Sequence, residues 1–235
     1  MADTSLFRVL EPISRPSVTD AVYEELHRQI LALELPPGTK MSEVDVARVM
    51  GVSRQPVRDA FYRLSTQGFL TIRPQRATVV SPISEASVMQ ARFIRSAIEA
   101  ETVRVACERL TDADLDALES VIEDQRRAVA ARDAATFHGL DDRFHREICE
   151  RSGHGFAWDI IRENKAHMDR VRMLSLSFAS QDAFSDHLAV MASLRARDPS
   201  RAMHDMRAHL SRIKTQIRRI RAEHEDLFEG DPVLD

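Results

Sequence analysis

The chain reads as mainly α-helical, a short punctuated N-terminal part followed by a long all-helical bundle. Three observations predict this. Glycine and proline punctuate the chain before about residue 82, in "LPPGTK" and "PQRATVVSP" and at Gly51 and Gly68. Beyond it, apolar residues recur at helical spacing almost without interruption. The length of 235 residues, with 43% hydrophobic and 30% charged, suits one or two ordinary globular domains. The reading places domain boundaries at 1–82 and 83–235.

Composition excludes several classes. No apolar run approaches the roughly 18 residues of a membrane helix, and "MADTSLFRVLEPISRPS" has acids and prolines where a signal peptide carries an apolar core. A cytoplasmic protein with no membrane partner is expected. Cys107 and Cys149 lack C-x-x-C spacing, so neither a disulfide framework nor a thiolate zinc site is expected. The net charge of -4 is unevenly spread: residues 54–80 carry Arg54, Arg58, Arg63, Arg73 and Arg76 against Asp59 alone. From 81 onward, 23 basic residues face 28 acidic ones, so a small basic region sits on an acidic protein.

In the first domain, Ser17 or Thr19 caps a helix whose apolar positions are Val22, Tyr23, Leu26, Ile30 and Leu33, and "LPPG" stops it. Ser42 caps a shorter helix through Met50. Gly51 ends that helix, free to take positive φ, and Ser53 caps the next at once. Pro56 falls in the first turn, where a missing N–H removes no intrahelical bond. Val57, Phe61 and Leu64 form the inward stripe, leaving Arg54, Gln55 and Arg58 outward near the helix N-terminus. This helix–turn–helix suits a major groove: arginine presents two donors to guanine O6 and N7, glutamine pairs with adenine, and the helix N-terminus favours phosphate. After Gly68, "FLTIRP" and "ATVVSP" read as two short strands around the turn "PQR", a wing with Arg76 at its tip for a minor groove or a phosphate.

The stretch "PPGTKMSEVDVARVMGVSRQPVRDAFYRLSTQGFL" resembles the winged helix-turn-helix of GntR-type bacterial transcription regulators, over about residues 18–82. The remainder resembles the helical ligand-binding (FCD) domain of the FadR subgroup, with a lean toward its VanR branch. Ala77 stands where the family's wing tip usually has glycine, and Val44 where some relatives have arginine. The resemblance implies that Ser53, Arg54, Gln55, Arg58 and Arg76 meet double-stranded DNA, as a homodimer on an inverted repeat.

Beyond "SPISEAS", six helices are expected near 84–109, 112–131, 133–151, 155–177, 180–196 and 198–224. Eight of nine histidines lie here. Asp141 and His145 are i and i+4 on one helical face. His187 and His209 each lie 11 residues from a turn at Asp198, which makes them level on antiparallel helices. Three imidazoles and one carboxylate suit Zn²⁺, Ni²⁺ or Mn²⁺, with positions left for a ligand's oxygens. "DDRFHREICE", "SDHLAVM" and "MRAHLSRI" also resemble the family's metal-ligand segments. His167 counts to the level of Asp141 as a reserve ligand or pocket donor; His204 falls off level, and His138, His154 and His224 are read as structural. Arg95 in "RSAIEAE" resembles the family's first-helix arginine; it can pair with an effector carboxylate or simply with Glu99 at i+4.

The expected function is a ligand-responsive transcription regulator, a repressor of a metabolic operon, controlled by a small organic acid at a divalent metal, with no catalysis. The alternative is a metal-dependent hydrolase with an accessory DNA-binding domain, in which Glu147 or Glu150 serves as base. Neither H-E-x-x-H nor G-x-S-x-G occurs, and Cys149 lacks an oriented base nearby. A third reading, an architectural DNA binder, leaves a histidine-rich helical domain without a purpose.

Overall fold

A computed structural model describes residues 17–73 and 77–230. Most of the described chain is helical, and its contacts divide it into two compact units that separate between Ser81 and Pro82, with Leu31–Pro37 grouped with the second.

The first unit begins with α1 (Val18–Leu31), capped by Ser17, whose hydroxyl accepts from Asp20 N at 3.1 Å. Val22, Tyr23, Leu26 and Ile30 form its buried stripe. β1 (Lys40–Met41) was not legible in the sequence, where it lies inside a stretch read only as punctuation. Ser42 caps α2 (Glu43–Met50), accepting from Asp45 N at 3.3 Å, and Gly51 ends it in the left-handed region at φ 67. α3 (Arg54–Thr66) follows and buries Val57, Ala60, Phe61 and Leu64. Ser53 occupies the cap position in extended backbone, but its side chain makes no capping hydrogen bond, which corrects that detail. β2 (Leu70–Thr71) and β3 (Thr78–Val80) are antiparallel, and β1 pairs on the other side of β3, giving the order β1-β3-β2. Arg76 lies outside the described residues.

The second unit comprises α4 (Glu85–Arg109), α5 (Asp112–Ala130), α6 (Ala134–Arg151), α7 (Gly155–Asn164), α8 (Ala166–Arg195), α9 (Pro199–Ser211) and α10 (Ile213–Glu223). The first three match expectation within two residues. The expected break between 177 and 180 does not exist, because Ser180 donates its hydroxyl back to Leu176 O at 2.9 Å and stays inside a helix. The break falls instead at Lys165, where neither glycine nor proline marks it. Arg212 kinks the last expected helix into α9 and α10 while itself keeping helical angles, so six expected helices become seven segments.

One apolar cluster draws on α4, α5, α6, α8 and α9 through residues such as Val103, Leu118, Phe144, Val190 and Met206. A second joins Val88 and Ala91 of α4 to Met168 and Val171 of α8 and to Ile213, Ile217 and Ile220 of α10. The polar site lies among α4, α5, α6, α8 and α9, the helices of the first cluster. Among the described residues, no helix is long and apolar enough to cross a membrane.

Candidate metal centre and nucleic-acid interface

Ser53 at the cap of α3 and Arg54, Gln55 and Arg58 on it are all exposed. The two arginines share one acceptor: Glu43 Oε2, in the first turn of α2, lies 3.5 Å from Arg54 Nη2 and 3.3 Å from Arg58 Nη2. Gln55 Nε2 donates to Asp59 Oδ1 at 2.8 Å. Three potential base-reading side chains therefore stand side by side, held by weak, solvated contacts that base edges or phosphates can replace.

In the second unit, Asp141 and His145 project from α6, His187 from α8 and His209 from α9, and one donor atom from each lies within 4.8 Å of all the others. His209 Nε2 is 3.2 Å from His145 Nε2 and 3.3 Å from His187 Nε2. Asp141 Oδ1 is 3.6 Å from His187 Nε2, and its Oδ2 is 4.0 Å from His145 Nε2. Adjacent donors bound at about 2.0–2.1 Å to one ion sit roughly 2.8–3.4 Å apart in octahedral or tetrahedral geometry. The donor set fits a divalent metal with small adjustments. His167, half-buried in the first turn of α8, is outside this group.

Outer contacts orient every imidazole. His187 Nδ1 is 2.9 Å from Gln125 Oε1, and Gln125 Nε2 donates to Leu140 O at 3.0 Å, which fixes the amide and makes Nδ1 the protonated nitrogen. His145 Nδ1 contacts the Glu99 carboxylate, itself held by Arg95 Nε at 2.6 Å. His209 Nδ1 lies 3.5 Å from Asp186 Oδ2, and Asp186 accepts from Arg212 Nη2 at 2.7 Å. With Gln125 accepting behind His187 and carboxylates near the other two rings, the Nε2 atoms of all three face a common centre.

Electrostatics favour the metal-ready state. Burial pushes His187 well below the ordinary histidine range, and burial likewise lowers His209. Burial alone would raise the Asp141 carboxyl, but Arg172 and the facing imidazoles together hold it well below the usual carboxylate range. The lowered His187 and His209 and the ionised Asp141 carboxylate are forms a metal requires.

Sequence reasoning missed Gln125, Asp186, Lys165, Asp142, Asp169 and Arg172. Arg172 contacts Asp141 and also donates to Asp142 at 2.9 Å and Asp169 at 2.8 Å, while Lys165 Nζ meets the same two acids at 2.8 and 2.6 Å. Arg95 is buried against Glu99, the simpler of its two expected roles, although its Nη2 has no hydrogen-bond partner.

The groups considered for hydrolysis are otherwise engaged. Glu147 accepts from Arg143 at 2.6 Å and Arg151 at 3.0 Å, and Glu150 is exposed beside Arg146. Burial pushes the Cys149 thiol up to about 12, and Cys107 is buried too. Neither thiol is expected to react with Ellman's reagent at about pH 8 in the folded protein, whereas both should react in guanidinium; rapid native labelling of Cys149 would contradict this burial.

Residues 18–80 match the family described as bacterial regulatory proteins, gntR family, and residues 90–212 match the FCD domain. The HTH-type transcriptional repressor RspR of Escherichia coli K12 is 37% identical over 213 residues, covering 90% of this chain and 93% of RspR. The chain belongs to the GntR family. As a GntR regulator with an FCD domain, it is a ligand-responsive DNA-binding transcription regulator, and the relatives point to regulation and not to an enzyme. This GntR protein is also 28% identical to the HTH-type transcriptional repressor NanR of Cronobacter sakazakii, covering 86% of each chain. Its fold is similar to that of E. coli McbR/YncC, with a TM-score of 0.70 at 22% identity over 87% of this chain and 99% of the other.

Proposed function

We propose that this GntR regulator is a cytoplasmic homodimeric repressor of a metabolic operon, governed by a small organic acid held at a Zn²⁺, Ni²⁺ or Mn²⁺ ion. In this reading residues 1–82 bind an inverted-repeat operator and residues 83–235 bind metal and effector. Asp141, His145, His187 and His209 hold the ion. The observation that carries this is the convergence of the three Nε2 atoms and the Asp141 carboxylate, with donor atoms all within 4.8 Å of one another. When bound, the ion supplies a Lewis-acidic anchor for carboxylate oxygens. Arg95, with a buried unpartnered Nη2, and His167 are the further effector contacts.

Repression follows from the names of the relatives, RspR and NanR. The dimer is supported by Phe93 of α4 and by Phe156 and Ile160, one turn apart on α7, which are 70%, 65% and 42% exposed. Large apolar side chains so placed suit a second copy of the same surface.

Arg54, Gln55 and Arg58 read bases while Ser53 and Arg76 contact the backbone. Arg58→Ala is expected to cost about 1–3 kcal/mol at the operator and to leave folding intact. Fluorescence anisotropy with specific and scrambled duplexes tests this, and unchanged specific affinity would remove Arg58 from the reading surface. Elemental analysis of the purified regulator tests the metal, with about one divalent ion per chain expected.

A further inference from the structure

The chain that follows α10 returns to the residues that begin the helical unit. A single 3-10 turn, Glu225–Leu227, comes after α10, and Phe228 then pairs in parallel with Ile83. Ile83 N donates to Leu227 O at 2.8 Å and Glu229 N donates to Ile83 O at 3.0 Å, so both backbone polar groups of Ile83 are satisfied by this segment. Phe228 is 6% exposed and packs with Ile83 among apolar side chains of α4, α8 and α10. Arg221 of α10 closes the arrangement. Its Nη1 donates to the buried Glu85 Oε1 at 2.7 Å, its Nη2 donates to Gly230 O, and its guanidinium lies 5.6 Å from the centre of the Phe228 ring. Gly230 takes φ 59, a left-handed angle that glycine adopts without strain.

The residues held in this way follow directly on the first unit. β3 ends at Val80, and only Ser81 and Pro82 precede Ile83. Ser81 N donates to Phe69 O at 2.9 Å within the first unit, and Pro82 O accepts from Arg170 Nη1 of α8 at 3.3 Å within the second. The connection after β3 therefore passes from one held residue to the next without slack. None of residues 225–230 belongs to the apolar cluster that joins α4, α5, α6, α8 and α9. Loss of the segment should free the connection and leave that core closed.

We infer that residues 225–230 are a strap that fixes the connection after β3 to the helical unit, and that the strap raises operator affinity by restraining the DNA-binding unit. Phe228 is its positioning residue. A binding unit on a mobile connection must be ordered when it meets DNA, and that loss of freedom weakens the complex; a connection already ordered avoids it. The strap acts on the DNA-binding role alone and needs no metal.

The test compares the full-length regulator with Phe228→Ala, Phe228→Leu and a chain ending at His224, all at the same metal content. Hydrogen exchange read by mass spectrometry should be about tenfold or more faster over residues 83–85 in Phe228→Ala, with α5 and α6 unchanged. Fluorescence anisotropy on a duplex selected in vitro should show binding weaker by about tenfold in the same variant. Phe228→Leu, which keeps apolar bulk, should stay within about twofold of the unaltered protein in both readings. The chain ending at His224 should match or exceed Phe228→Ala. Unchanged exchange over residues 83–85 in both Phe228→Ala and the shortened chain overturns the strap. Faster exchange there with unchanged or tighter binding to the duplex overturns its role in DNA binding, and faster exchange spread across α5 and α6 overturns its separation from the core.

Discussion

Arg172→Leu is expected to destabilise the metal-free helical unit by about 3–5 kcal/mol, because it breaks a buried charge network from one side. The guanidinium contacts Asp141, Asp142 and Asp169 at once and is only 12% exposed. Without it, Lys165 still meets Asp142 and Asp169, but Asp141 loses its guanidinium partner. Leucine restores apolar volume but leaves that partner's charge missing. Urea denaturation of the chelated variant, followed by far-UV circular dichroism, measures the loss; a change below about 1 kcal/mol would show that solvent already screens the network. A divalent ion should recover part of the loss, since it binds the Asp141 carboxylate that Arg172 otherwise holds.

His187→Ala is expected to weaken metal binding by more than about 100-fold, beyond the loss typical of an outer-contact mutation. His187 is fully buried, its Nδ1 is committed to Gln125, and its Nε2 faces both His209 and Asp141. Gln125→Leu gives the graded comparison: it removes only the acceptor behind the ring and should cost about 10- to 100-fold. Competition with a chromophoric chelator reads both values. Equal, small losses in the two variants would mean that His187 is a packed core residue and not a ligand.

Legibility in the sequence depended on whether a feature was local. Ser42, Gly51 and Pro56 punctuate α2 and α3 at positions where backbone chemistry permits few alternatives, so the helix–turn–helix could be read directly. β1 could not, since two residues carry no periodicity and their pairing with β3 depends on residues far along the chain. The kink at Lys165 had no glycine or proline to announce it, and Ser180, which resembles a cap in sequence, bonds backward within α8. Asp141 and His145 were legible from one helix face, and His187 and His209 from counting across a turn. Gln125 left one signal, a polar residue on the otherwise apolar stripe of Leu118, Val121 and Ile122. Arg172 left none, because a buried arginine and a solvated one look alike until the facing helix supplies Asp141 and Asp142.

The claim joining the two domains is that an acid at the metal changes DNA binding, which requires it to bind two conformations with different free energy. Operator affinity should therefore be titrated with saturating acid on the metal-loaded and chelated protein, using a duplex obtained by in vitro selection. The account predicts a change of about 5- to 150-fold in the loaded protein, within the usual range of coupling energies, and none after chelation. An equal change in both forms, or none in the loaded form, would contradict the metal-anchored switch.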